Sequence, residues 1–312
     1  SDIAVQEHVT TVLQRALQQQ RVAHAYLFCG PRGTGKTTSA RVLARAVNCL
    51  TPQDFEPDNQ CAMCNNIDRG QSLDLIEMDA ASNRGIDEIR SLREKVHFAP
   101  SEGKYKVYIV DEAHMLTEAA SNAFLKTLEE PPPHAIFVLC TTEPHKILPT
   151  IISRCQRLDF RRISTTIMVQ RLQFICQQEK IEADSKALEI IARSSEGSLR
   201  DAETLLEQMI VSYGQTLDTQ CVQQFLGITH SQQAKDLVAF LVMGNISAAL
   251  GIIGRASMGG ADLRNIHRQS IELMRGLMLV LSGARETVDL DMDTLKEIEE
   301  LSTKTSMQTV MS

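Results

Sequence analysis

The strongest constraint on the fold of this chain is the octapeptide GPRGTGKT at residues 30–37. It matches the phosphate-binding pattern G-x-x-x-x-G-K-[ST]. The apolar run HAYLFC precedes it, and TTSARVLARAVNC follows it with apolar residues at helical spacing. Because the loop stands between a strand and a helix, the sequence predicts the first unit of an α/β nucleotide-binding domain.

The residue types in this loop suit a nucleoside triphosphate with magnesium. Glycines let backbone amides close around phosphates, and the start of the following helix adds partial positive charge. We expect Lys36 to reach the β- and γ-phosphates and the Thr37 hydroxyl to bind Mg²⁺. The residues predicted to bind ATP are Gly30, Gly33, Thr34, Gly35, Lys36, Thr37 and Thr38.

Two further buried-strand runs, KVYIVD (106–111) and AIFVLCTT (135–142), end in polar residues. We expect Asp111 to hold the magnesium shell and Glu112 to orient and deprotonate the attacking water. If the two strands are neighbours, Thr142 lies beside Asp111 and can hydrogen-bond water or the γ-phosphate. A simple strand cap is the alternative for Thr142. The tetrapeptide DEAH also occurs in helicases and does not choose between families.

The sequence pattern changes near residue 162. Before it, the helical run EAASNAFLKTLEEPPP is stopped by prolines; after it, helical runs follow one another, with breaks at Gly244, Gly259–Gly260 and Gly283. A chain of 312 residues is expected to hold two or three domains. We therefore predict an α/β domain with a parallel sheet at 1–162 and helical domains at 163–226 and 227–312.

Composition and charge exclude several classes of protein. The chain is 43% hydrophobic and 23% charged, which is typical of soluble globular proteins, and no apolar run approaches the roughly 18 residues of a membrane span. Eight cysteines without a secretory signal favour a reducing, cytoplasmic setting. The net charge of −7 means that any DNA contact must come from a local basic or amide-rich surface.

Four segments together resemble the gamma/tau subunits of bacterial DNA polymerase III, the ATPases of the sliding-clamp loader. They are HAYLFCGPRGTGKTTSARVLARAVNC, DLIEMDAASNRGIDEIR, DEAHMLTEAASNAFLKTLEEPP and TIISRCQRLDF. The resemblance implies an AAA+ ATPase domain followed by a helical lid and an all-α collar. It also implies a hetero-oligomer, pentameric in the family, with delta-type and delta-prime-type subunits, a sliding clamp and primer–template DNA as partners. ATP binding would open the clamp and place it on DNA, and hydrolysis would release it.

The resemblance assigns roles to two arginines. The Ser-Arg-Cys motif of the family supplies an arginine finger to the ATP of the neighbouring subunit, so Arg154 is expected to act in trans, where a guanidinium stabilises phosphoryl charge. Arg200, in EGSLRDAE, matches the second sensor, which reaches its own nucleotide from the lid. A solvated surface charge is the alternative for Arg154, and a salt bridge with the following aspartate is the alternative for Arg200.

The segment DAASNRGIDEIR faces DNA in the family. Free amides at the helix start, together with Ser82, Asn83 and Arg84, are therefore expected to contact phosphates without reading sequence. Helix capping is the alternative for Ser82 and Asn83. The TLEEPP region is expected to form part of the surface that grips the clamp.

A zinc site is also implied by the resemblance. The family carries four zinc-binding cysteines in the region of NCLTPQDFEPDNQCAMC; Cys49, Cys61 and Cys64 keep their places, and Asp58 stands at the fourth. A carboxylate is an acceptable zinc ligand, so a closed structural Cys₃Asp site is predicted. A degenerate, metal-free loop is the alternative. The other cysteines are predicted to be core thiols: Cys29, Cys140, Cys155, Cys176 and Cys221.

Two departures from the family pattern fall near the adenine pocket. The chain lacks an Arg-Pro stretch that precedes this region in the family, and Val5 replaces a glycine. Two other functions remain as alternatives. One is the non-hydrolysing delta-prime-type stator of the same loader, against which the intact P-loop argues. The other is a helicase or branch-migration motor, which the cysteine cluster and the Ser-Arg-Cys context disfavour.

Overall fold

The computed structural model describes residues 6–83, 85–226, 232–259, 263–288, 290 and 292–311. The chain forms two compact units, residues 1–216 and residues 217–312. Within the described residues, no helix is long and apolar enough to cross a membrane.

The first unit is built on a five-stranded sheet with the order β2-β3-β4-β1-β5. All paired strands are parallel, so their carboxyl ends share one edge of the sheet, where ligands bind in this architecture. The inner strands are continuous apolar runs because helices cover both of their faces. The strands are β1 (Ala25–Cys29), β2 (Leu75–Asp79), β3 (Lys106–Asp111), β4 (Ala135–Thr141) and β5 (Gln156–Asp159).

Helices cover both faces of this sheet. Val9 and Leu43 pack on one face with Phe28 and Ile109, while Ile89 and Phe124 pack on the other face with other sheet residues. The N-cap Thr117 accepts a hydrogen bond from Ala120 N, and the helix it starts ends just before the prolines, as predicted. The helices are α1 (Glu7–Gln18), α2 (Lys36–Asn48), α3 (Ala62–Asp68), α4 (Ile86–Val96), α5 (Glu118–Glu129) and α6 (Pro149–Ile152).

Three helices follow the sheet within the first unit: α7 (Thr165–Glu179), α8 (Ser185–Ser194) and α9 (Leu199–Tyr213). Ser164 and Ser198 cap α7 and α9 with their side chains. The expectation that strands end near residue 162 is wrong in detail, because Glu182 N donates to Gln215 O at 2.8 Å between two short strands, β6 (Glu182–Ala183) and β7 (Thr216–Leu217).

Beyond Leu217, the last residue of β7, the described residues of the second unit form helices and the segments that connect them. Its helices are α10 (Thr219–Leu226), α11 (Gln232–Val242), α12 (Ile246–Met258), α13 (Leu263–Leu281), α14 (Met292–Ser302) and α15 (Met307–Met311). The breaks at Gly244 and Gly283 use left-handed backbone, with φ of 72° and 80°, which glycine adopts without strain. Leu273 and Leu277 of α13 are buried in the core of this unit.

Candidate functional site

The P-loop holds a desolvated lysine at the start of α2. Lys36 is 7% exposed, and its Nζ donates to Gly30 O at 2.8 Å and to Pro31 O at 2.7 Å. Burial lowers the pKa of Lys36, and the nearby acidic groups only partly oppose this effect. An ammonium group satisfied only by carbonyls of its own loop is suited to bind an anion such as phosphate.

Glycines shape the loop in two different ways. Gly35 has φ of 93°, and a Cβ built there meets nothing within 4 Å, so the loop leaves open space at the helix start, where phosphate binds. Gly33 has φ of 72°, and a Cβ there would collide with Ser198 Oγ. Leu199 N also donates to Gly33 O at 2.9 Å, so the start of α9 lies against the P-loop.

The two other threonines of the loop differ in exposure. Thr34 is buried, and its hydroxyl donates to Pro31 O at 2.8 Å. Its side chain therefore stabilises the loop, and the predicted contact of Thr34 with the nucleotide would come from its backbone amide. Thr38 is exposed as the third residue of α2.

The predicted magnesium ligands meet at the carboxyl end of β3. Thr37 Oγ1 donates to Asp111 Oδ2 at 2.8 Å, and Asp111 Oδ1 accepts from Glu112 N at 2.9 Å. A hydroxyl and a carboxylate side by side provide the oxygen ligands that Mg²⁺ takes beside a phosphate. The residues of this site therefore fit the metal and the nucleotide.

Glu112 lies in left-handed backbone, with φ of 46° and ψ of 45°. This conformation costs a non-glycine residue about 1–3 kcal/mol and is concentrated at functional sites. Because β3 and β4 are neighbours, Thr142 reaches Glu112, and its hydroxyl donates to Glu112 Oε2 at 3.1 Å. Thr142 thus contacts the predicted general base, a partner that the sequence did not indicate.

Sequence analysis missed a third residue at this point, His114. It is the last residue of the DEAH tetrapeptide, in which only Asp111 and Glu112 were predicted to have roles. His114 Nδ1 lies 3.4 Å from Glu112 Oε2, and its Nε2 lies 3.1 Å from Glu143 Oε2. The DEAH tetrapeptide could have drawn attention to His114, but only the fold shows which groups its imidazole contacts.

Arg154 follows α6, and its contacts lie outside the P-loop. Its Nη1 donates to Thr150 O and its Nη2 to Glu129 Oε1, each at 2.7 Å. The guanidinium is thus paired within the chain while remaining 33% exposed. The structure does not bring Arg154 together with Lys36 and Glu112.

Arg200 is the second residue of α9 and is exposed. Among the described residues its guanidinium makes no hydrogen bond or ion pair, so the alternative of a salt bridge with Asp201 is not formed. The neighbouring residue Leu199 donates a backbone hydrogen bond to Gly33 of the P-loop. The backbone of Arg200 therefore lies close to the nucleotide site, and its guanidinium is free to contact a nucleotide.

The residues predicted to contact DNA form a turn around Asp79. Ser82 Oγ donates to Asp79 Oδ2 at 2.8 Å, and the backbone amides of Ala81 and Asn83 donate to Asp79 Oδ1 and O at 2.9 Å. The expectation of free amides here is therefore wrong for these two groups. The capping alternative is also wrong, because Gly85 is the N-cap of α4. Arg84 lies outside the described residues, as does Val5.

The predicted zinc ligands lie together between α2 and α3. One ligand atom each from Cys49, Asp58, Cys61 and Cys64 lies within 4.8 Å of the others. Cys49 Sγ is 3.9 Å from Cys61 Sγ and 3.4 Å from Asp58 Oδ1. A tetrahedral site with Zn–S bonds near 2.3 Å separates its sulfurs by about 3.8 Å. The spacing therefore fits zinc.

The protonation of these groups depends on their neighbours. Hydrogen bonds, first from the Thr51 hydroxyl and then from backbone amides at Cys61 and Gln60, hold the pKa of Asp58 well below its usual range. Burial is the main reason that the pKa of the Cys64 thiol is raised. A bound cation would displace the thiol protons, because the thiolate is the metal ligand.

The other cysteines divide into two groups. Cys29, Cys140 and Cys176 are buried, as predicted for core thiols, but Cys155 and Cys221 are half-buried. Cys155 packs against the core on one face of the sheet, so the prediction of a core thiol is wrong only for Cys221.

These features define the class of the protein. A P-loop follows β1, an acidic pair ends β3, a threonine ends β4, and a helical lid contacts the P-loop; together they define an AAA+ ATPase fold, whose ligands are ATP and Mg²⁺. Solved structures agree with this fold: the Thermotoga maritima RuvB Holliday junction branch migration motor matches with a TM-score of 0.53 and 16% identity, over 88% of this chain and 87% of that one.

Sequence relatives identify the family. Family models match residues 5–164 ("DNA polymerase III, delta subunit"), 167–215 ("DNA polymerase III clamp loader subunit, ATPase lid domain") and 217–312 ("DNA polymerase III subunits gamma and tau domain III"). The chain belongs to the gamma/tau family of DNA polymerase III clamp-loader subunits.

Named relatives agree. The DNA polymerase III subunit tau of Bacillus subtilis is 46% identical over 96% of this chain and 54% of its own length, and that of Escherichia coli is 40% identical over 90% and 44%. The gamma/tau subunit of Mycobacterium tuberculosis is 39% identical over 96% and 53%. The chain therefore spans about half the length of these curated relatives.

Proposed function

We propose that this chain is an ATPase subunit of a bacterial sliding-clamp loader. ATP binding favours an assembly that opens the clamp and sets it on primer–template DNA, and hydrolysis releases the clamp. The observation that carries the proposal is the constellation of Lys36, Thr37, Asp111 and Glu112 at one edge of the sheet. A stator subunit that does not hydrolyse ATP would not require these four residues together.

Each residue of the constellation has its own task. Lys36 neutralises phosphate charge, and Thr37 with Asp111 holds Mg²⁺, which when bound withdraws charge from the phosphoryl oxygens. Glu112 takes a proton from the attacking water, a contribution worth about 10²–10⁴ in rate. Thr142 holds the carboxylate of Glu112 through its hydroxyl, which favours one orientation of the base.

Two arginines complete the reaction from different sides. Arg154 serves the nucleotide of a neighbouring subunit, a role supported by its contacts outside the P-loop. Arg200 serves the nucleotide of its own subunit from the lid. Two observations support this role: its guanidinium is free, and the adjacent Leu199 is hydrogen-bonded to the P-loop. Hydrolysis in such an arrangement depends on assembly, because the isolated chain lacks the arginine from its neighbour.

The proposed domains are the ATPase domain at 1–162, the lid at 163–226 and the collar at 227–312, which joins the subunits. Leu273 and Leu277 of the apolar helix α13 are core residues, so they are not available to a partner subunit. A better surface for assembly is an apolar stripe on α12. It consists of Ile246, Leu250 and Ile253, which are 66%, 62% and 41% exposed and are spaced to share one helix face.

The proposed partners are delta-type and delta-prime-type subunits, the sliding clamp and primer–template DNA. Ser82 and Asn83 are exposed, but their side chains donate to Asp79, so a phosphate contact from either side chain would replace one of these bonds.

ATPase measurements on a loader reconstituted from this chain, its partner subunits, clamp and primed DNA, each omitted in turn, test the proposal. We expect turnover that requires both clamp and DNA for full rate. Lys36→Ala should abolish nucleotide binding, and Glu112→Gln should keep binding while losing most turnover. Full activity with DNA but no clamp would indicate a different motor, and no hydrolysis at all would indicate a stator.

We also propose that Cys49, Asp58, Cys61 and Cys64 hold a structural zinc ion, supported by their spacing. Metal analysis of protein purified without added zinc should give about one zinc per chain. Asp58→Ala should weaken binding, and Asp58→Cys, which restores the family ligand, should keep or strengthen it. Substoichiometric zinc with all cysteines reduced would contradict the site.

A further inference from the structure

The imidazole of His114 lies between the carboxylates of Glu112, which follows β3, and Glu143, which follows β4. Its side chain is 7% exposed; Nδ1 lies 3.4 Å from Glu112 Oε2 and 3.1 Å from Thr141 Oγ1. On the other side of the ring, Nε2 lies 3.1 Å from Glu143 Oε2. A carboxylate oxygen therefore faces each of the two ring nitrogens.

Glu143 is anchored in turn. Its backbone N donates to Thr141 Oγ1 at 3.0 Å, and its carboxylate accepts from Lys146 Nζ at 2.8 Å. The exposed His145 lies farther from this carboxylate, at 4.0 Å. The far side of the His114 ring is therefore tied to the loop that follows β4, so the ring does not move independently of the sheet.

The contacts to Glu112 converge on one atom. Thr142 Oγ1 donates to Glu112 Oε2 at 3.1 Å, the same oxygen that His114 approaches. Glu112 sits in strained backbone at the end of its strand, and its side chain is otherwise 35% exposed. Two contacts on Oε2 fix the plane of the carboxylate and leave Oε1 for the attacking water.

We propose that His114 is a positioning residue for ATP hydrolysis: it holds the carboxylate of Glu112 in place by tying it to Glu143. The proposal rests on the ATPase function proposed above. A base displaced by about 1 Å loses about 10²-fold in rate, so removal of the tie lowers kcat and leaves the affinity for ATP unchanged.

Amide replacements separate this role from a merely structural one. In His114→Asn the amide nitrogen takes the place of Nδ1 and still donates toward Glu112. In His114→Gln the amide reaches the place of Nε2 and still donates toward Glu143. If His114 positions Glu112, kcat falls in the order wild type, Asn, Gln, Ala. If it only anchors the loop after β4, the Gln variant outperforms the Asn variant.

The experiment measures kcat and KM for ATP in the reconstituted loader with clamp and primed DNA. We expect His114→Ala to lose about 10- to 100-fold in kcat with unchanged binding of a fluorescent ATP analogue, and His114→Asn to recover part of that loss. His145→Ala is the matched control and should behave as wild type. Wild-type kcat in all His114 variants, or better rescue by Gln than by Asn, would overturn the proposal. An inactive wild-type loader would instead refute the ATPase function itself.

Discussion

Removal of the buried carboxylate of Asp74 should destabilise the first unit strongly. Asp74 is 1% exposed and stands just before β2. Its carboxylate accepts backbone hydrogen bonds from Ser101 at 2.7 Å, Glu102 at 2.8 Å and Gly103 at 2.7 Å. These amides belong to the loop that leads into β3, so Asp74 sets the path of the strand that ends in Asp111 and is followed by Glu112.

The magnitude follows from these three bonds. A hydrogen bond to a charged group contributes about 1.5–3 kcal/mol, and a buried amide left without a partner costs about 1–3 kcal/mol. The three losses are not fully additive, because the loop can relax toward water. We expect Asp74→Ala to lower the free energy of unfolding by about 3–5 kcal/mol. Asp74→Asn should cost less, since its amide oxygen still accepts.

Urea unfolding followed by circular dichroism, with hydrogen exchange of the peptide that covers residues 99–105, measures the effect. Asp87→Asn is the matched control. The Asp87 side chain is 85% exposed and, within the part of the chain that the structure describes, pairs with Arg90 at the surface, so its loss should stay within about 0.5 kcal/mol.

The pH dependence has a defined sign. Burial opposes ionisation of Asp74, but the backbone hydrogen bonds from Glu102, Ser101 and Gly103 lower its pKa below the ordinary value of 3.8. The stabilisation is therefore complete above that ordinary value and is lost only as pH falls through the lower folded-state pKa. The effect of Asp74→Ala should be equal at pH 7.5 and pH 6. A change in unfolding free energy below 1 kcal/mol, or unchanged exchange in the loop, would refute this reasoning.

Three further predictions concern the P-loop, the arginine finger and the collar. Gly33→Ala should weaken nucleotide binding about tenfold, because its Cβ collides with Ser198 Oγ and left-handed backbone strains alanine by about 1–3 kcal/mol; adding Ser198→Gly should restore part of the affinity in the same titration. Glu129→Gln removes the partner of Arg154 and should change stability by less than about 1 kcal/mol without lowering the ATPase rate of the loader; a tenfold fall would place Glu129 in the catalytic machinery. Leu250→Asp, at a position 62% exposed, should leave nucleotide binding intact and prevent assembly by light scattering; normal assembly would exclude the stripe on α12.

Much of the central sheet was predictable because its local patterns are strong. The runs that became β1, β3 and β4 are apolar at all of their interior positions, as strands covered on both faces must be, and the sequence located them to within a residue or two. The edge strands were not predicted. In β5 only Leu158 is buried among polar residues, because an edge strand needs little apolar surface.

The nucleotide site was predictable where a motif carries it and not where distant segments meet. Lys36, Thr37 and Asp111 follow from spacing within motifs. The contacts of His114 and of Gly33 with Ser198 depend on which strands are neighbours and where the lid packs, which no local pattern specifies. A surface for assembly could not be located from sequence, because an apolar helix such as α13 has the same pattern whether it faces its own core or a partner.

The central claim is that the ATPase site is completed by Arg154 from a neighbouring subunit. A mixing experiment tests it most directly, in a loader that holds more than one copy of this chain. Lys36→Ala subunits keep the finger but bind no ATP, and Arg154→Ala subunits bind ATP but lack the finger. The account predicts that each variant alone is nearly inactive and that their mixture regains turnover, because some Lys36→Ala subunits present Arg154 to a neighbour's ATP. No recovery in the mixture, together with loss of ATP affinity in the isolated Arg154→Ala chain, would contradict it.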